Sequence, residues 1–210
     1  MTRYLVPATD GAAEIEVRRS RFLATVRRVE DEAAARAVVD ELRRRHHDAR
    51  HHCSAFALGP WGAPGAVQRS SDDGEPSGTA GAPILEVLRG REVADVVVVV
   101  TRWFGGVLLG AGGLVRAYGD ATRAGLDGVG LRARARVAEV ALDVAHADAG
   151  RVESELRARG VGVRDAEYGA GVTLHLAVPP AEVAALVATV AALTGGTAQP
   201  VVVGETWADA

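Results

Sequence analysis

The spacing of apolar positions marks out elements before any single residue is considered. Short apolar stretches predict strands at Glu14–Arg18, Phe22–Val29, Cys53–Leu58 and Val96–Val100. Five valines in a row are too few to span a bilayer and too β-branched to favour a helix, so Val96–Val100 is expected to be buried on both faces at the centre of a domain. Spacings of three and four predict helices instead. One covers Glu30–Arg45, with Ala34, Ala37, Val38 and Leu42 near one another. It has acid at its start and Arg43-Arg44-Arg45 at its end, an order the helix dipole favours and which accounts for the arginine triplet. Another helix begins near Gly112 or Gly113 and carries Leu114, Val115, Tyr118, Thr122 and Leu126. A third runs through Ile84–Leu88, with Ser77 or Thr79 as its expected cap and Asp72-Asp73-Gly74 as a turn before it. Met1–Gly11 reads as a loose lead-in.

From Arg136 the order is strand Val137–Ala145, helix Ala147–Arg159, strands Val161–Tyr168 and Val172–Val178, helix Pro180–Leu193 and strand Gln199–Thr206. Gly160 ends one helix and Pro179-Pro180 opens the next. This βαββαβ succession predicts a small ferredoxin-like domain over 135–207, behind a larger α/β (α+β) domain over 1–130.

Composition narrows the function classes. Nearly half the 210 residues are hydrophobic, enough for a real core, and every basic residue is Arg, so an Arg count alone says little about phosphate binding. The net charge of −3 falls on the second domain, since residues 1–130 are neutral, and this excludes a uniformly basic nucleic-acid protein. A single cysteine, Cys53, and an N-terminus without a long apolar run make a reducing cytoplasm the expected compartment, with no membrane segment.

Three stretches carry candidate chemistry, all in the first domain. After the valines, Gly105, Gly106, Gly110, Gly112 and Gly113 lead into a helix whose first amides lack helical partners, which makes a plausible anion pocket flanked by Arg102 and Arg116. The loop is neither a Walker loop nor a dinucleotide fingerprint, and the alternative to a pocket is that its glycines only permit close helix-on-sheet packing. A second stretch, Arg50-His51-His52-Cys53, invites a zinc reading, but neighbours on a strand point to opposite faces; no metal and no cofactor are expected. The third holds Ser71, Asp72, Asp73, Gly74 and Glu75 among serines and glycines.

Four ordered stretches carry a family resemblance over about 120 residues: Glu16 with Ser20-Arg21-Phe22, Asp48–Cys53, Ser71–Gly81 and Thr101–Tyr118. Together they resemble the IMPACT family in its bacterial YigZ branch. Two departures stand out: Trp103 where the family commonly has Tyr, and His47 where Pro is usual. The resemblance implies a first domain similar to the second domain of small-subunit ribosomal protein S five and a tail similar to a ferredoxin-like domain of translocation elongation factors. It also implies a regulatory role near translation, since the eukaryotic members regulate initiation by competing for an activator of a stress kinase, and it brings no enzymatic activity.

Three functions follow as expectations. The first is a cytoplasmic, translation-associated regulator that contacts RNA, the ribosome or a translation protein through Arg50, His51, Arg102, Arg116 and the glycine loop. The second is a metal-assisted hydrolase built from His51, His52, Asp72, Asp73 and Glu75. The third is a protein-docking face anchored by Trp103, Phe104 and Trp61. All three need the acid–serine stretch and the glycine loop to meet in one concavity.

Overall fold

The valine run lies in the middle strand of a five-stranded antiparallel sheet. A computed structural model describes residues 3–210. It divides into two compact units, residues 3–133 and 134–210. In the first, the sheet order is β2 (Gly11–Val17), β3 (Ser20–Arg28), β6 (Val96–Trp103), β4 (His51–Leu58) and β5 (Val67–Ser71). Helices α2 (Gly81–Gly90) and α3 (Ala111–Val129) cover one face, where Val96, Val98 and Val100 pack with Phe22, Ile84 and Tyr118. Helix α1 (Glu32–Arg45) covers the other, where Val97 and Val99 meet Ala35, Leu42 and Phe56. All five valines are fully buried, each contributing about 1.5–2 kcal/mol of apolar burial.

Strand β1 (Arg3–Pro7) replaces the expected loose lead-in. Tyr4 and Val6 are buried, and the Tyr4 hydroxyl donates to Asp95 at 2.6 Å, so a stretch without an obvious period is held by tertiary contacts. Met1 and Thr2 of that lead-in lie outside the described residues. Strand β5 also escaped the apolar pattern, because three of its five residues are exposed.

Strands β2 and β3 pair from Gly11↔Val26 to Val17↔Ser20, leaving Arg18 and Arg19 as a two-residue turn. Both have positive φ, 47° and 67°. This is the hairpin geometry that Asn-Gly suits, and left-handed backbone costs a residue with a Cβ about 1–2 kcal/mol.

The second unit has its own core and a four-stranded antiparallel arrangement, β10 (Pro200–Asp209), β7 (Leu131–Val144), β9 (Val172–Val178) and β8 (Gly162–Tyr168). Helices α4 (His146–Ala158) and α5 (Val183–Thr194) connect the strands, so the order along the chain is βαββαβ with the last strand beside the first, the ferredoxin-like arrangement. Among the described residues, no helix is long and apolar enough to cross a membrane.

Candidate functional site

The end of β6 turns a cation inward. Arg102 is 6% exposed, and its guanidinium meets the Glu75 carboxylate at 2.5 Å with both side chains nearly dry. The Tyr118 hydroxyl of α3 donates to the same Glu75 oxygen at 2.8 Å. A second guanidinium nitrogen approaches the buried Ser20 hydroxyl at 3.4 Å, and that hydroxyl accepts the Gly105 amide at 3.2 Å. β3, β6, α3 and the acid–serine loop are thereby tied at one point. Arg102 Nε keeps no hydrogen-bond partner among the described residues.

Cys53 sits behind this pair, with its thiol 2.9 Å from the Asp72 carbonyl and 3.3 Å from the Tyr118 hydroxyl. Burial pushes the Cys53 thiol up to about 12, so it stays protonated and is no nucleophile. Burial, with Cys53 and Glu75 alongside, likewise holds the Tyr118 phenol above its usual range.

The aspartates serve the loop rather than a ligand. Asp72 accepts the amides of Gly78, Ala80 and Gly81 at 2.8–3.0 Å. Burial alone would make the carboxyl a weaker acid, but the three amides outweigh it and hold the carboxyl below its usual range. Asp72 thus caps α2, the part predicted for Ser77 or Thr79; the Thr79 hydroxyl donates to the Pro76 carbonyl instead. Asp73 meets Arg43 of α1 at 2.5 Å and accepts the His52 amide at 2.6 Å, while its own amide donates to Ser71 Oγ at 3.3 Å. Its carbonyl accepts the His51 Nδ1–H at 2.9 Å, and at Gly74, with φ 85°, a Cβ would lie 3.6 Å from that ring. His52 points to the opposite face and is buried. Its burial, acting against the nearby Asp73 carboxylate, holds the imidazole below its usual range. Replacing Asp72 by alanine is expected to cost about 2–4 kcal/mol in urea unfolding, because three amides lose a charged acceptor at once.

A cleft of about 380 Å³ opens beside the buried pair. Glu75 and Pro76 form one wall and Gly110 and Ala111 another, so the acid–serine stretch and the start of α3 do face a common concavity. Arg50, His51, Phe104 and Leu108 complete its mouth. The cap residue Gly110 has φ 72° and offers no side chain to the helix end, and the first intrahelical amide bond is Leu114 to Gly110. The amides of Ala111, Gly112 and Gly113 therefore have no acceptor within the helix. Arg50 is exposed and makes no ion pair among the described residues. Phe104 is 45% and Leu108 82% exposed.

The structure thus sorts the predicted residues. Arg50, His51, Glu75, Arg102 and Gly110 line the cleft, with Gly112 and Gly113 in the first turn behind it. Asp72, Asp73, Gly74 and Ser71 build the loop, His52 faces away, and the Arg102 charge is spent on Glu75. The expected hydrolase set is dispersed into these separate contacts, and among the described residues no three His, Cys, Asp or Glu side chains converge as a metal cage. Arg116 lines a different cavity, of about 570 Å³ between α2 and α3, with Gly119 and Arg123. Gly105 serves close packing: a Cβ there would lie 2.0 Å from the Arg19 backbone. Gly106 has φ 83° and open space around it. The three proposed docking rings do not gather at one place. Trp61 donates to the Val93 carbonyl before the start of β6, whereas Trp103 and Phe104 stand at its far end, a strand roughly 23 Å long at strand rise.

Sequence reasoning missed Tyr118 and Ser20 as partners of the ion pair. The exchange of Tyr for Trp103 keeps a donor, since the indole N–H reaches Asp48 at 2.8 Å and thereby holds that carboxyl below its usual range.

Comparison with known proteins agrees with this architecture. Residues 18–126 match the Impact N-terminal domain, and residues 142–197 match a domain of unknown function, DUF1949. The chain is 36% identical over 98% of its length to IMPACT family member YigZ of Escherichia coli, spanning 100% of that protein. It is also 36% identical to IMPACT family member YvyE of Bacillus subtilis, over 92% of this chain and 88% of that one. A crystal structure of a hypothetical protein superimposes with a TM-score of 0.70 at 35% identity, covering 97% of this chain and 98% of the other. The structure of Yih1, described as a two-domain translational regulator, is 28% identical over 57% of this chain and 45% of that chain, with a TM-score of 0.37.

Proposed function

We propose, from the premise that this chain belongs to the IMPACT family, that its larger unit is a non-catalytic RNA-binding module acting in translation, with single-stranded RNA in the cleft at the start of α3. The observation that carries this reading is the meeting, in one cleft, of an unpaired Arg50, the start of α3 at Gly110 and Ala111 and the half-exposed ring of Phe104. Amides and Arg50 suit a phosphate, and Phe104 suits a base stacked against it, the two elements of single-strand recognition. Arg102 acts indirectly, since its charge is matched by Glu75 and it holds Phe104 from beneath, 5.8 Å from the ring centroid. The translational setting is the one the family resemblance implies.

Fluorescence anisotropy with a short labelled oligouridylate tests the proposal. Affinity is expected to fall as salt rises, with a log–log slope of about −0.7 for each phosphate neutralised. Arg50→Gln should flatten that slope, and Phe104→Ala should weaken binding by about tenfold with the slope kept. An affinity that stays level from low to high salt would overturn the assignment.

A further inference from the structure

The hairpin tip next to Gly105 holds two consecutive arginines in backbone positions that suit asparagine and glycine. Arg18 and Arg19 both adopt left-handed backbone angles, both are exposed, and neither forms an ion pair among the described residues. Of the acids of the same hairpin, Glu14 pairs with Arg21 at 2.8 Å, and Glu16 stands opposite Arg21 in the strand register rather than against the turn. The turn is also braced. Gly105 leaves no room for a side chain against the Arg19 backbone, and the Ser20 hydroxyl accepts the Gly105 amide. The residue next to Gly105 is Phe104, at the mouth of the cleft. Asparagine and glycine would fill such a turn with less strain, and two long cations gain nothing within the fold from being there.

We infer that Arg18 and Arg19 are phosphate contacts that continue the path of a single-stranded RNA out of the cleft, past Phe104 and over Gly105; this rests on the RNA reading above. A base stacked on Phe104 leaves the next phosphates at the hairpin tip, where two unpaired guanidinium groups meet them. Strain in the free protein is then the cost of presenting both charges on one rigid, short turn.

The test is the double substitution Arg18→Asn with Arg19→Gly in the full chain, with melting temperature and anisotropy of the labelled oligouridylate measured on the same preparation. The melting temperature is expected to rise by several degrees while RNA affinity falls about tenfold at moderate salt and the salt slope shrinks by about 1–2. An unchanged affinity and slope in the more stable variant would overturn the inference. Arg50→Gln and Phe104→Ala keep the two proposals apart. If they weaken binding and the turn variant does not, the hairpin contact alone is wrong. If the wild-type protein binds no RNA, the cleft reading falls and takes this one with it.

Discussion

Changing Glu75 to glutamine is expected to destabilise the larger unit by about 3–5 kcal/mol, read from the urea midpoint at unchanged slope. Glutamine preserves the size of the side chain and an oxygen for the Tyr118 hydroxyl, so what disappears is the charge opposite Arg102. That guanidinium is 6% exposed and already has one nitrogen without a partner. An unmatched cation in such a place can neither be hydrated nor deprotonated, and the fold must open to admit water. The reverse comparison separates charge from packing. Glu75→Leu combined with Arg102→Met removes both charges and should cost far less than the single change, as buried pairs replaced together usually do. A single-variant loss under about 1 kcal/mol would mean that Arg102 reaches solvent and that the cleft floor is wetter than described.

Gly105→Ala is expected to cost about 3 kcal/mol or more and to weaken RNA binding with it. A Cβ would sit 2.0 Å from the carbonyl of Arg19 and 2.5 Å from the Ser20 amide, and these are backbone atoms of a two-residue turn closed by the Val17–Ser20 pair. Neither can rotate aside, so the loop and the hairpin must separate, displacing Phe104. Gly106→Ala is the control. With φ 83° and open space around it, it should lose only about 1 kcal/mol, from backbone strain alone. Equal losses at the two positions would show that conformation rather than the close approach governs this corner.

These two sites mark where reading the sequence succeeds and where it stops. The valine strand was legible because every position in it is apolar, which only a strand covered on both faces explains. The two halves of the cleft were legible one by one, since glycines beside a bare helix start and acids among serines are each costly in isolation, but nothing along the chain sets the distance between them, and their meeting is seen only in the structure. The division of labour among the acids was not. Asp72 caps amides six to nine residues ahead and Asp73 reaches Arg43 thirty residues back, distances along the chain at which no local rule applies. Arg116 lines the cavity between α2 and α3 with Gly119 and Arg123, three and seven residues on, yet a Cβ at Gly112 would lie 3.8 Å from its guanidinium, so the helical period alone does not assign it to one side of the helix start. Strand β5 was missed because Val67–Ser71 has hardly any buried face to leave a period.

The sheet of the larger unit ends in two unpaired borders, β2 and β5. One offers Glu14 and Glu16 in alternation, and the other lasts only five residues and includes Arg69. A foreign strand seeking to extend the ladder would meet like-sign carboxylates on one side and too little length on the other. The most apolar strand in this unit can therefore sit at its heart without inviting the chain to polymerise, because the outermost strands refuse what the innermost would welcome.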